Sequence, residues 1–219
     1  MLQANATAST PAREGRPVTA ASTGRTRDPA RKERILSAAA DLVARHGFTA
    51  VSMEDIGDAV GITASAIYRH YDSKSAVLVA MLDRVVDKLL DDAQAIASGG
   101  LASPQATLAR LIEGYIDFVI NDRDSAQVYF REIAQVPPDD RRRLRRNQRL
   151  YVEEWVLLLT ELRPGLDDAA ARALVHAAIG VMQSTLWYSA GLPEDQLRGL
   201  LRDAALRVLS PATFTAWEA

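Results

Sequence analysis

The sequence predicts an all-α chain of about nine helices, in which a small N-terminal three-helix unit precedes a larger helical one. Three observations carry that expectation. From Pro29 onward apolar residues recur at three- and four-residue spacing almost without pause. No stretch alternates apolar and polar residues as a strand would, and Gly, Pro and capping residues punctuate the helical runs. With 219 residues and 48% apolar content, the chain is long enough for a small module plus a sizeable packed core.

Residues 1–28 are rich in Ala, Thr, Ser, Pro and Arg, are broken by Gly15 and Gly24, and show no period. They read as a disordered, mildly basic arm, either a solvated tail or a segment that lies along a phosphate backbone. Ile35, Ala38, Ala39, Leu42 and His46 then mark a first helix from about Asp28 to His46. Gly47 stops it, and Phe48 turns inward. Ser52 and Asp55 form a capping-box pattern that opens a short helix with Ile56, Ala59 and Val60 on one face, ending at Gly61. Thr63 caps the next helix, Ala64 to His70. Only Gly61, Ile62 and Thr63 separate the two, which is the spacing of a helix-turn-helix.

Asp72 or Ser73 caps a long fourth helix with Leu78, Met81, Leu82, Val85, Leu89 and Ile96 on its stripe, ending at Gly99-Gly100. Ser103-Pro104 opens a helix to about Asn121, and Asp124 or Ser125 opens another through Gln135. After Pro137-Pro138, a helix from about Asp139 to Leu162 buries Leu144, Gln148, Tyr151, Trp155, Leu158, Leu159 and Leu162, and Pro164-Gly165 stops it. Asp167 caps a helix to about Ala190, and Pro193 starts the last one, which ends at Ser210-Pro211. The expected division is an arm (1–28), a helix-turn-helix unit (29–75), a helical sensing and dimerisation unit (76–211) and a short tail (212–219).

Composition excludes several classes. With no cysteine, disulfides, thiolate metal sites and cysteine nucleophiles are impossible, and the cytoplasm is the expected compartment. No run of residues is long and apolar enough to span a bilayer, and no membrane partner is expected. Only His46, His70 and His176 exist, none in a zinc-binding pair at helical spacing, and no Gly-rich phosphate loop follows a strand. No catalytic residue, metal or cofactor is therefore expected. A net charge of −2 means that any nucleic-acid binding must come from a local basic surface.

The stretch from Gly47 to Lys74 contains a Gly-Phe turn, a Ser cap before Asp55-Ile56, then Ala59-Val60-Gly61-Ile62-Thr63, Ile67-Tyr68-Arg69-His70-Tyr71 and Ser73-Lys74 in register. It resembles the DNA-binding segment of the tetracycline-repressor (TetR) family of bacterial regulators, over about residues 30–84. Tyr71 stands where that family usually has Phe, and Ser65 where Gly or Pro is frequent. The resemblance implies phosphate contacts by Ser52, Tyr68 and His70. The residues alone allow the same reading: Thr63 frees a helix N-terminus, Ala64, Ser65 and Ala66 permit close approach to base edges, and Tyr68, Arg69 and His70 follow them. Lys74 puts a cation in the first turn of a helix, where the dipole disfavours it, which makes sense if a phosphate sits there.

The remaining residues suggest two further surfaces. Ala173, Ala177, Gly180 and Ser184 form a small-residue stripe, and Leu197, Leu201, Ala204 and Val208 mark the last helix. Together they form a four-helix homodimer interface, as the resemblance implies, or pack within the chain. Leu89, Leu111, Tyr115, Phe118, Tyr129, Phe130, Trp155, Leu159, Met182 and Leu186 supply enough apolar bulk either for a core or for an effector cavity. The arginine run Arg141 to Arg149 is a solvated face or an anion clamp, for example for an acyl-coenzyme A. The expected function is thus a repressor that binds a palindromic operator as a homodimer and is released by a small hydrophobic effector. The alternatives are a regulator or activator without ligand and, last, a helical enzyme.

Overall fold

A computed structural model describes residues 29–100, 103–189 and 191–210. The expected arm (1–28) and tail (212–219) lie outside them. The described residues form nine α-helices: α1 (Pro29–His46), α2 (Met53–Val60), α3 (Ala64–Ile67), α4 (Lys74–Ser98), α5 (Pro104–Asn121), α6 (Arg123–Glu132), α7 (Pro138–Leu162), α8 (Asp168–Gln183) and α9 (Glu194–Leu209). Short 3₁₀ turns follow α6 at Ile133–Gln135 and α8 at Ser184–Leu186.

The caps that start these helices are largely those the sequence announces. Ser73, Ser103 and Asp167 each accept a backbone N–H three residues on, so the first turns of α4, α5 and α8 are satisfied before tertiary packing begins. Ser73 rather than Asp72 caps α4, and α6 begins earlier than predicted, at Arg123. Two helices are shorter than periodicity suggested. α3 stops at Ile67, and Tyr68–His70 continue as a turn in which His70 N–H bonds to the Ile67 carbonyl. α8 stops at Gln183 and tightens, so its predicted end at Ala190 falls on a residue outside those described. After α8 the apolar stripe outlives the helix because Leu186 in the turn is still buried in the core, whereas Tyr68 and Arg69 after α3 are exposed.

The core is one continuous cluster. It runs from Ile35, Ala39 and Val43 of α1, through Ile56 and Ile67, along α4 and into α5, α7 and α8. α4 packs on α7, α7 on α8, α8 on α9, and α1 on α6. α4 alone buries Val77, Leu78, Met81, Leu82, Val85, Val86 and Ala93. Each larger side chain of that set contributes about 1.5–3 kcal/mol on burial, so α4 anchors both units. Two stripe assignments are corrected. His46 and Ala59 are exposed, and Val43 and Gly57 take the buried positions on α1 and α2.

Candidate nucleic-acid interface and effector cavity

The helix-turn-helix is built by backbone contacts. Ser52 accepts the Asp55 N–H at 3.0 Å while its own N–H donates to the Asp55 carboxylate at 2.8 Å, which is the predicted capping box. These bonds hold the Asp55 carboxyl below its ordinary value, the Ser52 backbone N–H contributing most and the hydroxyl next. Gly61 closes α2 in the left-handed region at φ 70°, and the Ile62 N–H returns to the Gly57 carbonyl at 2.9 Å. A Cβ at Gly57 would stand 2.6 Å from the Ile62 carbonyl oxygen, so only glycine lets the turn lie this close to α2. Gly57 is part of the recognised motif, but its packing role is invisible until the crossing is seen.

Thr63 then caps α3, accepting the Ala66 N–H at 3.3 Å. Ser65, Tyr68 and Arg69 are exposed, with Tyr68 50% accessible, whereas Ala64, Ala66 and His70 are half-buried. The Ser52 hydroxyl hydrogen is given to Asp55 at 2.7 Å, leaving its oxygen and not its proton for any further contact. A small exposed helix end with Ser65 leading and Tyr68 and Arg69 flanking is a shape that enters a major groove.

Lys74 corrects the sequence reading. Its ammonium does not stand out toward a phosphate. It donates to the carbonyls of Phe48 at 3.0 Å, Thr49 at 3.3 Å and Val51 at 2.8 Å, and lies 4.5 Å from the centre of the Phe48 ring. All three ammonium donors have acceptors. The cation at the start of α4 is explained by the loop carbonyls before α2.

A cavity of about 140 Å³ lies between α4, α5, α6, α7 and α8. Of the predicted residues, Leu89, Tyr115, Phe118, Tyr129 and Phe130 line it. Leu111, Trp155, Leu159, Met182 and Leu186 do not; they are buried in the core around it. Periodicity marks the inward face of a helix but not whether that face meets a neighbour or a hollow. The cavity also takes Val85, Val86, Gln148, Tyr151, Val152, His176, Ile179 and Gln183. Gln148 and Gln183 were the available signals, each an amide on a buried side of its helix. His176 is exposed at the cavity edge.

A larger cleft of about 650 Å³ between α4 and α5 shares Leu89 and Phe118 with the cavity, and carries Asp92, Asp117 and Asp122 beside Lys88 and Arg110. On the α7 side, half of the arginine run is engaged. Arg143 pairs with Asp83 and Asp140, Arg142 with Asp139, and Arg141 donates to the Ala134 carbonyl. Arg145, Arg146 and Arg149 are exposed. Burial pushes the Tyr129 phenol up to about 12, while the charge of Arg145 pulls the other way.

α6 joins the two sites, a link with no sequence signature. Tyr129 and Phe130 line the cavity. Arg131 donates to the Val43 and Ala44 carbonyls at 3.3 and 2.9 Å, and the buried Glu132 accepts the Phe48 N–H at 3.3 Å. The cavity wall and the turn into α2 are thus held by consecutive residues.

The predicted interface stripe is bare in the single chain: Ala173, Ala177, Gly180 and Ser184 are all exposed, and nothing approaches a Cβ built at Gly180. Leu197, Ala204 and Val208 are half-buried. Leu201 is buried in the core, so it is removed from the interface set. Trp187, Tyr188 and Leu200 are 60%, 69% and 53% accessible. Among the described residues no helix is long and apolar enough to cross a membrane, and no His, Cys, Asp or Glu cluster suits a metal.

A helix-turn-helix braced against a helical body defines a DNA-binding regulator. Residues 35–81 match the family described as bacterial regulatory proteins, tetR family, and residues 101–209 match the tetracyclin repressor-like C-terminal domain. The chain belongs to the TetR family of transcriptional regulators, and is not an enzyme. It is similar to the HTH-type transcriptional repressor KstR2 of Rhodococcus jostii (strain RHA1), 28% identical over 159 residues, or 72% of this chain and 76% of that one. A TetR-family regulator from Bordetella parapertussis superposes with a TM-score of 0.72 at 24% identity, covering 88% of this chain and 100% of that one. FadR of Bacillus subtilis, solved in complex with stearoyl-CoA, gives 0.66 at 19% identity over 81% of this chain and 97% of that one.

Proposed function

We propose that the chain is a homodimeric repressor that leaves a two-fold symmetric operator when a small apolar effector, carried as an acyl-coenzyme A, enters the cavity. The observation that carries this reading is the continuity of α6, whose Tyr129 and Phe130 form the cavity wall and whose next two residues grip the end of α1 and the Phe48 turn. A ligand that shifts that wall displaces the support of the helix-turn-helix.

Ser65 and Arg69 then read base edges, with Ala64 and Ala66 allowing close approach, while Tyr68, His70 and the Ser52 oxygen meet backbone groups. Lys74 has no part in it. The bare α8 stripe with Trp187 and Leu200 beside it favours a second copy as its cover, and paired half-sites require one. The cavity volume suits a ring or short acyl chain, not a long chain without expansion. For the coenzyme phosphates, the exposed Arg145, Arg146 and Arg149 are the favourable side, since three aspartates line the α4–α5 cleft.

Footprinting of the DNA flanking the chain's own gene tests this, with addition of hexanoyl-CoA, stearoyl-CoA or free coenzyme A. Expected are a two-fold symmetric protected site, its loss with an acyl-CoA and its persistence with coenzyme A alone. An asymmetric site removes the dimer, and protection unaffected by any acyl-CoA removes the effector assignment. Higher transcription from the same promoter without the protein identifies repression.

A further inference from the structure

We propose that the cavity selects an effector with an uncharged carbonyl oxygen, held between the hydroxyls of Tyr115 and Tyr151, and an apolar ring or short chain beyond it. This rests on the effector reading above and sharpens it to a chemical class. The argument is an inventory of donors and acceptors. The Tyr115 oxygen already accepts the Gln183 amide N–H at 2.6 Å, so what Tyr115 still offers is its own proton. Tyr151 lines the same cavity, and its hydroxyl makes no hydrogen bond among the described residues. Tyr129 donates to the Gln148 oxygen at 3.4 Å, which leaves the Gln148 amide N–H groups free to donate as well.

The Tyr115 and Tyr151 rings are 6.0 Å apart and 27° from parallel. Burial is the main reason that Tyr151 resists losing its proton, and the neighbouring Tyr115 adds to it. Burial raises Tyr115 likewise, so both phenols remain donors at any physiological pH. Beside them the fully buried Trp155 indole N–H, on a ring 6.0 Å from that of Tyr151, has no acceptor. The open donors, the Tyr115 and Tyr151 hydroxyls, the Gln148 amide and the Trp155 indole N–H, therefore outnumber the open acceptors, the Gln183 carbonyl and the Tyr151 oxygen, an arrangement that favours an incoming group that supplies an acceptor.

The lining also says which acceptor. It contains no carboxylate and no lysine or arginine, and its one titratable base, His176, is at the exposed edge. A carboxylate buried there would meet hydrogen bonds but no lysine or arginine in the lining, whereas a ketone, ester or thioester carbonyl needs only the hydrogen bonds. Val85, Val86, Leu89 and Phe118 form the apolar remainder. The volume, about 140 Å³, is close to that of a cavity of roughly 150 Å³ that takes up benzene.

Calorimetric titration of the full chain with acetophenone, ethylbenzene and benzoate tests the assignment, because the first two differ only in a carbonyl in place of a methylene. Acetophenone is expected to bind roughly tenfold tighter than ethylbenzene, from two neutral hydrogen bonds, and benzoate more weakly than acetophenone. In the Tyr115→Phe, Tyr151→Phe double variant, checked for an unchanged melting temperature, acetophenone falls to the level of ethylbenzene. The native-chain comparison stands even if that variant does not fold. Equal binding of acetophenone and ethylbenzene, tighter binding of benzoate, or a folded double variant that keeps the acetophenone preference overturns the carbonyl assignment. Binding by none of the three overturns it too. The effector reading is judged separately by the loss of the footprint.

Discussion

Replacing Lys74 by methionine separates two explanations of one cation. In the structure its ammonium satisfies the Phe48, Thr49 and Val51 carbonyls, at distances of 2.8 to 3.3 Å, and sits over the Phe48 ring. Methionine keeps most of the aliphatic stem and deletes the three bonds. Thr49 is exposed, so water replaces one bond at little cost, and the partly buried bonds to Phe48 and Val51 dominate. At about 1 kcal/mol for each of these two and about 0.5 kcal/mol for the cation–π contact, the expected loss is roughly 2–3 kcal/mol. With a urea slope of about 2 kcal/mol per molar, the unfolding midpoint of the transition that includes the helix-turn-helix falls by about 1 M. The companion measurement is DNA affinity against salt. A phosphate contact would lower the logarithmic salt slope by about 1 and leave stability alone. A Lys74→Met chain with an unchanged urea midpoint and a salt slope lowered by one refutes the loop-carbonyl account.

Four further outcomes follow from the same geometry. Gly57→Ala forces a Cβ against the Ile62 carbonyl, a backbone atom that has no rotamer to give way, so a loss of about 3 kcal/mol and of DNA binding is expected in melting and band-shift assays. Glu132→Leu removes the acceptor of the Phe48 N–H; effector titration of DNA-bound protein should then require at least severalfold more effector, and an unaltered midpoint would contradict the role of α6. Ala177→Glu places a charge on the bare α8 stripe, and sedimentation of the variant should show a monomer that is otherwise folded. Because the Asp55 carboxyl lies below its ordinary value in the folded chain, the capping box contributes fully above the unfolded value and is lost as pH falls through the depressed one. Melting temperature between pH 6 and pH 2 should therefore drop less steeply for Asp55→Asn than for the native chain.

The parts of the molecule that were legible beforehand are those written in local chemistry. Ser52, Ser73, Ser103 and Asp167 cap the helices because a hydroxyl or carboxylate three residues before an N–H acts within one turn. The parts that were not legible depend on residues far apart in the chain. Lys74 reads as a misplaced cation until Phe48 and Val51 fold back beneath it, and nothing in the stretch around Glu132 marks it as the acceptor of the Phe48 N–H, 84 residues away. Trp155 and Tyr151, one turn apart on α7, share an inward stripe, yet only Tyr151 meets the hollow. Leu201 and Leu200 are neighbours, and the face that α9 turns toward α8 and α5 decides that the first is core and the second surface.

The length of α4 has a mechanical meaning. Its first residue fastens the loop before α2, and Val85, Val86 and Leu89, three to four turns later in the same unbroken helix of 25 residues, form cavity wall. From Val85 to Lys74 the axis runs about 16 Å, so a tilt of about 6° at the wall moves the fastened end by roughly 1.7 Å. That exceeds the roughly 0.5 Å within which a set of directed contacts must be held. A stiff rod also transmits in reverse: whatever locks its DNA end steadies the cavity end, and each occupant must alter the other's affinity by the same factor.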